Sequence, residues 1–138
     1  MHLSQHLTFA GQCEAAFTLY AERLGGKLHT LLSYGNSPMA AQVPPEWRSK
    51  IVHASLTLGA STLAGADVLP EDYQPPQGFF VLLTTHDIAE AERAFHALAE
   101  GGEVRMAGQR TFWSPFFAVL VDRFGIPWEV TCEQTPPR

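Results

Sequence analysis

The alternation of hydrophobic and polar positions divides the chain into two successive runs with the same order: strand, helix, three strands. Residues 3–9 read as a strand with Leu3, Leu7 and Phe9 on one face and Ser4, His6 and Thr8 on the other. Gly11-Gln12 turns the chain. Over residues 13–24, Ala16, Phe17, Tyr20 and Leu24 recur at helical spacing, and Gly25-Gly26 ends the helix. Strands are predicted over 27–34, 51–58 and 61–66, separated by a Pro-containing loop (35–50) and by the turn Gly59-Ala60. In 51–58 the even positions Val52, Ala54, Leu56 and Leu58 are apolar and should pack under a helix; His53, Ser55 and Thr57 face the other way.

A link over residues 67–78, with Pro70, Pro75 and Pro76, leads to the second run. It comprises a strand over 79–85, a helix over 88–100, Gly101-Gly102, and strands near 103–106, 117–121 and 127–132. Asp87 followed by Glu90 resembles a capping box, and Ala91, Phe95 and Leu98 supply the apolar stripe. In the last strand Ile126, Trp128, Val130 and Cys132 form the apolar set, opposed by Glu129 and Thr131. A shift of 76 positions (101 minus 25) superposes the two double glycines, Thr8 on Thr84, Glu14 on Glu90 and Ala15 on Ala91. The shared order predicts an α+β fold made of paired βαβββ modules, about 1–68 and 78–134, within one domain of 138 residues. A ferredoxin-like domain is the alternative, with one fewer strand per half.

Composition narrows the partners. Hydrophobic content of 46% in 138 residues suffices for one core. A net charge of −5 without any Lys/Arg cluster argues against nucleic acid and against an anionic membrane. The first residues lack the basic and apolar segments of a signal peptide, and no apolar run approaches ~18 residues, so a cytoplasmic location is expected. Cys13 and Cys132 lie far apart without metal-type spacing and read as ordinary buried thiols.

If the sheet curves with its helices outside, the polar strand faces line the inside. That makes His6, His53 and Glu129 candidate pocket residues. For the histidines the ordinary alternatives are a solvated residue near the chain start and a satisfied structural side chain. Glu129 lies between apolar neighbours, where an unpaired carboxylate is costly, so it should have a partner or a purpose. His2, His29, His86 and His96 look peripheral. The aromatic run from Phe112 to Phe117, with Phe79, Phe80 and Trp128, reads either as core plus dimer interface or as the wall of a pocket for a flat, apolar ligand.

Several segments together resemble the PhnB-like branch of the vicinal-oxygen-chelate (glyoxalase/bleomycin resistance/dioxygenase) superfamily, and they cover nearly the whole chain. They are Leu7-Thr8-Phe9-Ala10-Gly11-Gln12-Cys13-Glu14-Ala15-Ala16-Phe17, the Pro44-Pro45-Glu46-Trp47 loop leading to Ile51-Val52-His53-Ala54, and Gln77-Gly78-Phe79. To these are added Thr111-Phe112-Trp113 and Asp122-Arg123-Phe124-Gly125-Ile126-Pro127-Trp128. The resemblance implies an open, cupped, barrel-like sheet around a cavity, with helices outside, in a homodimer. In metal-dependent members four ligands drawn from His, Gln and Glu hold a divalent ion whose Lewis acidity stabilises an enediolate-like or peroxo intermediate. Carried across, the last ligand falls on Glu129 and the first near Ser4 or Gln5, with His6 adjacent. The other two fall on Phe80 and about Leu63, which cannot bind a metal.

The expectation is therefore a PhnB-like protein of unassigned activity that binds a small molecule near the module or dimer interface. The pocket would be formed by His6, His53, Phe80, Trp113, Trp128 and Glu129. Two alternatives stay open: a metal-dependent lyase, isomerase or dioxygenase using Glu129 as catalytic residue, with Gln5 or His6 as further metal ligand, and a resistance-type protein that sequesters a drug or metabolite. No Gly-rich S-adenosylmethionine loop follows a strand in a Rossmann pattern, so methyl transfer is not expected.

Overall fold

The alternate burial of Leu7 and Phe9 makes a half-buried strand of β1 (Gln5–Phe9) in the computed structural model, which describes residues 1–133. The strand begins two residues later than its pattern suggests, because Leu3 is fully exposed and has no core to pack on. Helix α1 (Cys13–Leu24) buries Cys13, Ala16, Phe17 and Tyr20 against the sheet completed by β2 (Lys27–Ser33), β3 (Ile51–Leu58) and β4 (Ser61–Asp67). The strand order is β1-β4-β3-β2, with β1 parallel to β4 and the other pairs antiparallel. At the centre of β4, Gly65 lets Phe17 press onto the backbone: a Cβ there would stand 2.6 Å from the Phe17 ring. Three short 3-10 turns, Tyr34–Asn36, Ala40–Gln42 and Pro45–Trp47, fill the loop between β2 and β3.

The second half repeats the plan. Strands β5 (Val81–Thr85), β6 (Glu103–Gln109), β7 (Phe117–Val121) and β8 (Pro127–Cys132) form a sheet of order β5-β8-β7-β6, again with its first pair parallel. Helix α2 (Ile88–Ala99) packs on it through Ala91, Ala94, Phe95 and Leu98, and the Phe95 ring meets Phe116 edge-on at 6.1 Å. The Asp87 carboxylate accepts the Glu90 N–H at 2.7 Å, which is the expected cap. β6 extends three residues beyond its expected end because it keeps pairing with β7 as far as Gln109 opposite Phe117, although every residue in it is exposed.

Four strands in each half exclude the ferredoxin-like alternative. The fold is α+β, two open four-stranded sheets each with one helix, and the sheets are not closed barrels. The chain divides into two compact units, Met1–Gln74 and a second beginning at Pro75; residue 134, the expected end of the second module, lies outside the described residues. Among the described residues no helix is long and apolar enough to cross a membrane.

The 76-residue shift places β1 (5–9) on β5 (81–85) and β2 (27–33) on β6 (103–109). Beyond the β2–β3 loop the offset shrinks. Leu63 pairs with the first residue of β1 and Trp128 with the first of β5, so the shift there is 65 (128 minus 63).

Candidate functional site

Strand partners share a face, so the register sorts side chains between the helix side and the open side of each sheet. In the first unit the open side carries the row His6, Ala64, Ser55, Thr30, and beside it the pairs Thr8–Ala66 and His53–Leu32. His6 and His53 are both exposed, on different strands, and neither has a hydrogen-bond partner among the described residues. Gln5 falls on the opposite face, paired with Leu63 and in line with buried Leu7 and Phe9. It therefore cannot join His6 as a ligand.

In the second unit the open side carries the row Leu82, Glu129, Val119, Met106, and next to it Thr84, Thr131, Phe117, Gln109. Leu82 and Met106 are 58% and 38% exposed. Glu129 is half-buried between Leu82 and Val119, and among the described residues it has no hydrogen bond or ion pair. Trp113 stands over the same side: its ring meets Phe117 edge-on at 5.1 Å and Phe112 at 4.6 Å, leaving the indole 47% exposed. Trp113 and Glu129 thus lie on one face.

One of the expected pocket residues does not belong there. Trp128 faces the helix side, almost wholly buried, with its Nε1–H donating to the Asp122 carboxylate at 2.9 Å. Period-2 alternation on β8 puts it opposite Glu129, so no ligand on Glu129's face can touch it. Phe80 precedes β5 and takes no part in the ladder.

The duplication also relocates the metal positions that the resemblance implies. His6 corresponds to Leu82 (shift 76), and Glu129 to Ala64 (shift 65). The pseudo-equivalent set is His6, Ala64, Leu82 and Glu129, two donors and two hydrocarbon side chains. Among the described residues no three His, Cys, Asp or Glu side chains are placed to hold a metal ion. The four-ligand chelate therefore does not fit this chain.

Other polar groups with unusual surroundings are structural. Asp67, 1% exposed, accepts the N–H groups of Gly11 and Cys13 on Oδ1 and of Ile51 on Oδ2, all at 2.9 Å, and its carbonyl accepts the Tyr34 hydroxyl at 2.6 Å. Burial, with Asp67 adding to it, pushes the Cys13 thiol and the Tyr34 hydroxyl above their ordinary pKa values. Asp122 accepts Phe124 and Ile126 N–H on Oδ1, closing the β7–β8 turn in which Gly125 adopts φ +88°. Ser114 Oγ accepts the N–H groups of Phe116 and Cys132, pinning the entry to β7 onto the end of β8. The Asp122-to-Trp128 motif is thus a folding device, and the open-side row was not legible in the sequence because it is assembled by the pairing register of four strands.

The family model described as 3-demethylubiquinone-9 3-methyltransferase matches residues 1–131. Protein YjdN of Escherichia coli is 32% identical over 145 residues, covering 99% of both chains. The crystal structure of PA1353 from Pseudomonas aeruginosa is 41% identical with a TM-score of 0.89, covering 98% of this chain and 99% of that one. The PhnB protein of Bacillus cereus shares the fold at 21% identity and a TM-score of 0.80, covering 96% and 99%.

Proposed function

The chain belongs to the family described as 3-demethylubiquinone-9 3-methyltransferase, the PhnB-like branch of the vicinal-oxygen-chelate superfamily, and on that footing we propose that it binds a small molecule on the open side of β5–β8 without the four-ligand metal. The row Leu82, Glu129, Val119, Met106, with Trp113 beside it, carries the reading. Exposed apolar side chains gathered on one face mark an interaction site. A single polar group among them fixes orientation, the usual division of labour in ligand sites.

Methyl transfer forms no part of the proposal. A strand-to-helix connection that cradles a nucleotide cofactor presents free backbone N–H groups. Here the connection from β1 to α1 contains one glycine, Gly11, whose N–H is already taken by Asp67. Self-association, which the resemblance implies, and a cytoplasmic location, which the sequence pattern leads one to expect, are parts of the same proposal.

The test is a screen of small aromatic compounds of all charge types, read by tryptophan fluorescence and calorimetry on wild type and Trp113→Ala. Saturable binding is expected, weakened roughly tenfold by the substitution, since truncating an aromatic anchor commonly costs that much. Prior treatment with a chelator should leave it unchanged. Flat responses across the panel overturn the proposal, and binding lost on chelation overturns its metal-free part. The unpaired Glu129 carboxylate also favours a second reading, a general base acting on the bound compound. In that case Glu129→Gln abolishes turnover.

A further inference from the structure

Resting on that binding face, we infer that its ligand is an organic cation, a protonated or quaternary amine on a flat apolar body. Glu129 stands on this face with no compensating charge among the described residues. Its strand partners are Leu82 and Val119, Met106 continues the row, and the adjoining row offers Thr84, Thr131, Phe117 and Gln109. None of these seven carries a charge. No Lys, Arg or His forms an ion pair with Glu129 among the described residues.

A carboxylate partly withdrawn from water by hydrocarbon neighbours loses hydration without recovering it from the protein. A ligand ammonium placed there restores the lost interaction, whereas an anion would be repelled and a neutral body would cover the carboxylate at a cost. The aromatic groups point the same way. Trp113 makes T-shaped contacts with Phe112 and Phe117 and keeps nearly half its surface open, and indoles are the side chains that attract cations most strongly. Phe117 pairs with Thr131, two residues along β8 from Glu129, a separation of about 7 Å. That span is the scale of a small amine whose ring lies against Trp113, beside the buried Phe117, while its nitrogen meets Glu129. The net charge of −5 adds a weaker, long-range attraction of the same sign.

Phenethylamine, phenethyl alcohol and phenylacetate share one body and differ in charge, so they isolate the effect. Their affinities are read by chemical-shift titration of the β5–β8 amides and by tryptophan fluorescence. The amine is expected to bind about tenfold more tightly than the alcohol, and the acetate more weakly than either. In Glu129→Gln the amine's advantage should fall to within about threefold while the alcohol's affinity is kept. Glu92→Gln, on the solvent side of α2, changes net charge equally and should preserve the advantage. Equal binding of amine and alcohol, or an advantage that survives Glu129→Gln, overturns the cation assignment and leaves the binding face standing. Absence of saturable binding by all three overturns the assignment as well, and a flat response across the wider panel then removes the face with it.

Discussion

On the sheet built from β1 to β4, the side away from α1 carries His6, His53, Thr8, Ser55 and Thr30, with Leu32, around Ala64 and Ala66, whereas on β5 to β8 the corresponding side carries Leu82, Val119, Met106 and Phe117, with Thr84, Thr131 and Gln109, around Glu129. Strand order, pairing direction and even the position of a bulge in the edge strand, Leu28/Thr30 against Val104/Met106, are the same in both. Backbone pairing and the buried helix-side residues therefore determine the architecture, and the open faces were free to diverge, the first with two histidines among small polar side chains and the second with a row of larger apolar side chains flanking Glu129. A second difference lies under the helices. The start of α1 is tied down by Asp67, which comes from the end of β4, while α2 is capped by the adjacent Asp87. One unit relies on a long-range buried carboxylate and the other on a local one.

Removing the long-range carboxylate should therefore have the largest effect. Asp67→Ala leaves the N–H groups of Gly11, Cys13 and Ile51 without their acceptor in a buried site. At about 1–3 kcal/mol for each unsatisfied donor, with the part-buried Gly11 N–H at the low end because water can reach it, a loss of roughly 3–6 kcal/mol is expected, a large share of the stability of a domain. Urea denaturation with hydrogen exchange should show the first unit opening before the second. Asp67→Asn, which keeps one acceptor oxygen, should lose less. A shift below about 1 kcal/mol for Asp67→Ala would remove the contrast between the units.

Much of this architecture was legible in the chain. Both helices, β3, β7 and β8 follow from periodicity and glycine punctuation, and the double glycines exposed the duplication. The role of Asp67 was not legible, because a lone aspartate at the end of an apolar strand gives no sign of the three amides it meets; those contacts depend on β1 lying beside β4. The candidate site was read in part. Alternation put His6, His53 and Glu129 on polar faces, whereas the positions carried over from the resemblance, Phe80 and about Leu63, lie two residues and one residue from Leu82 and Ala64, which the pairing register makes equivalent to His6 and Glu129. Strand faces invert with every residue, so a small register error exchanges a ligand position for a core position.

Burial, with the same carboxylate adding to it, makes the first unit sensitive to alkali. Cys13 and Tyr34 both hold their protons more tightly in the folded chain, through burial first and Asp67 second. Their contribution is complete below the ordinary values of 9.0 and 10.0. Above these the unfolded chain releases protons that the folded unit retains, and stability falls as pH rises. For Cys13 the slope approaches about 1.4 kcal/mol per pH unit. Denaturation midpoints measured from about pH 8 to pH 10 should decline for wild type and flatten in Cys13→Ala. A decline of equal slope in that variant would assign the sensitivity elsewhere.

The smallest effect is expected at the local cap. Asp87→Ala removes one acceptor from the Glu90 N–H at the start of α2, and both residues lie near the surface, where water replaces part of the lost bond. Substitution of such a cap costs about 1 kcal/mol. The Glu90 carboxylate reaches back to the His86 N–H at 3.4 Å, so the turn keeps a second, weaker tie. Asp87→Asn retains an acceptor oxygen and should recover most of the loss. Measured side by side by urea denaturation, Asp87→Ala should shift the midpoint by a third or less of the shift in Asp67→Ala. Comparable shifts would mean that the second unit depends on its local cap as much as the first depends on its buried carboxylate, and the two helices would then be held by devices of equal weight.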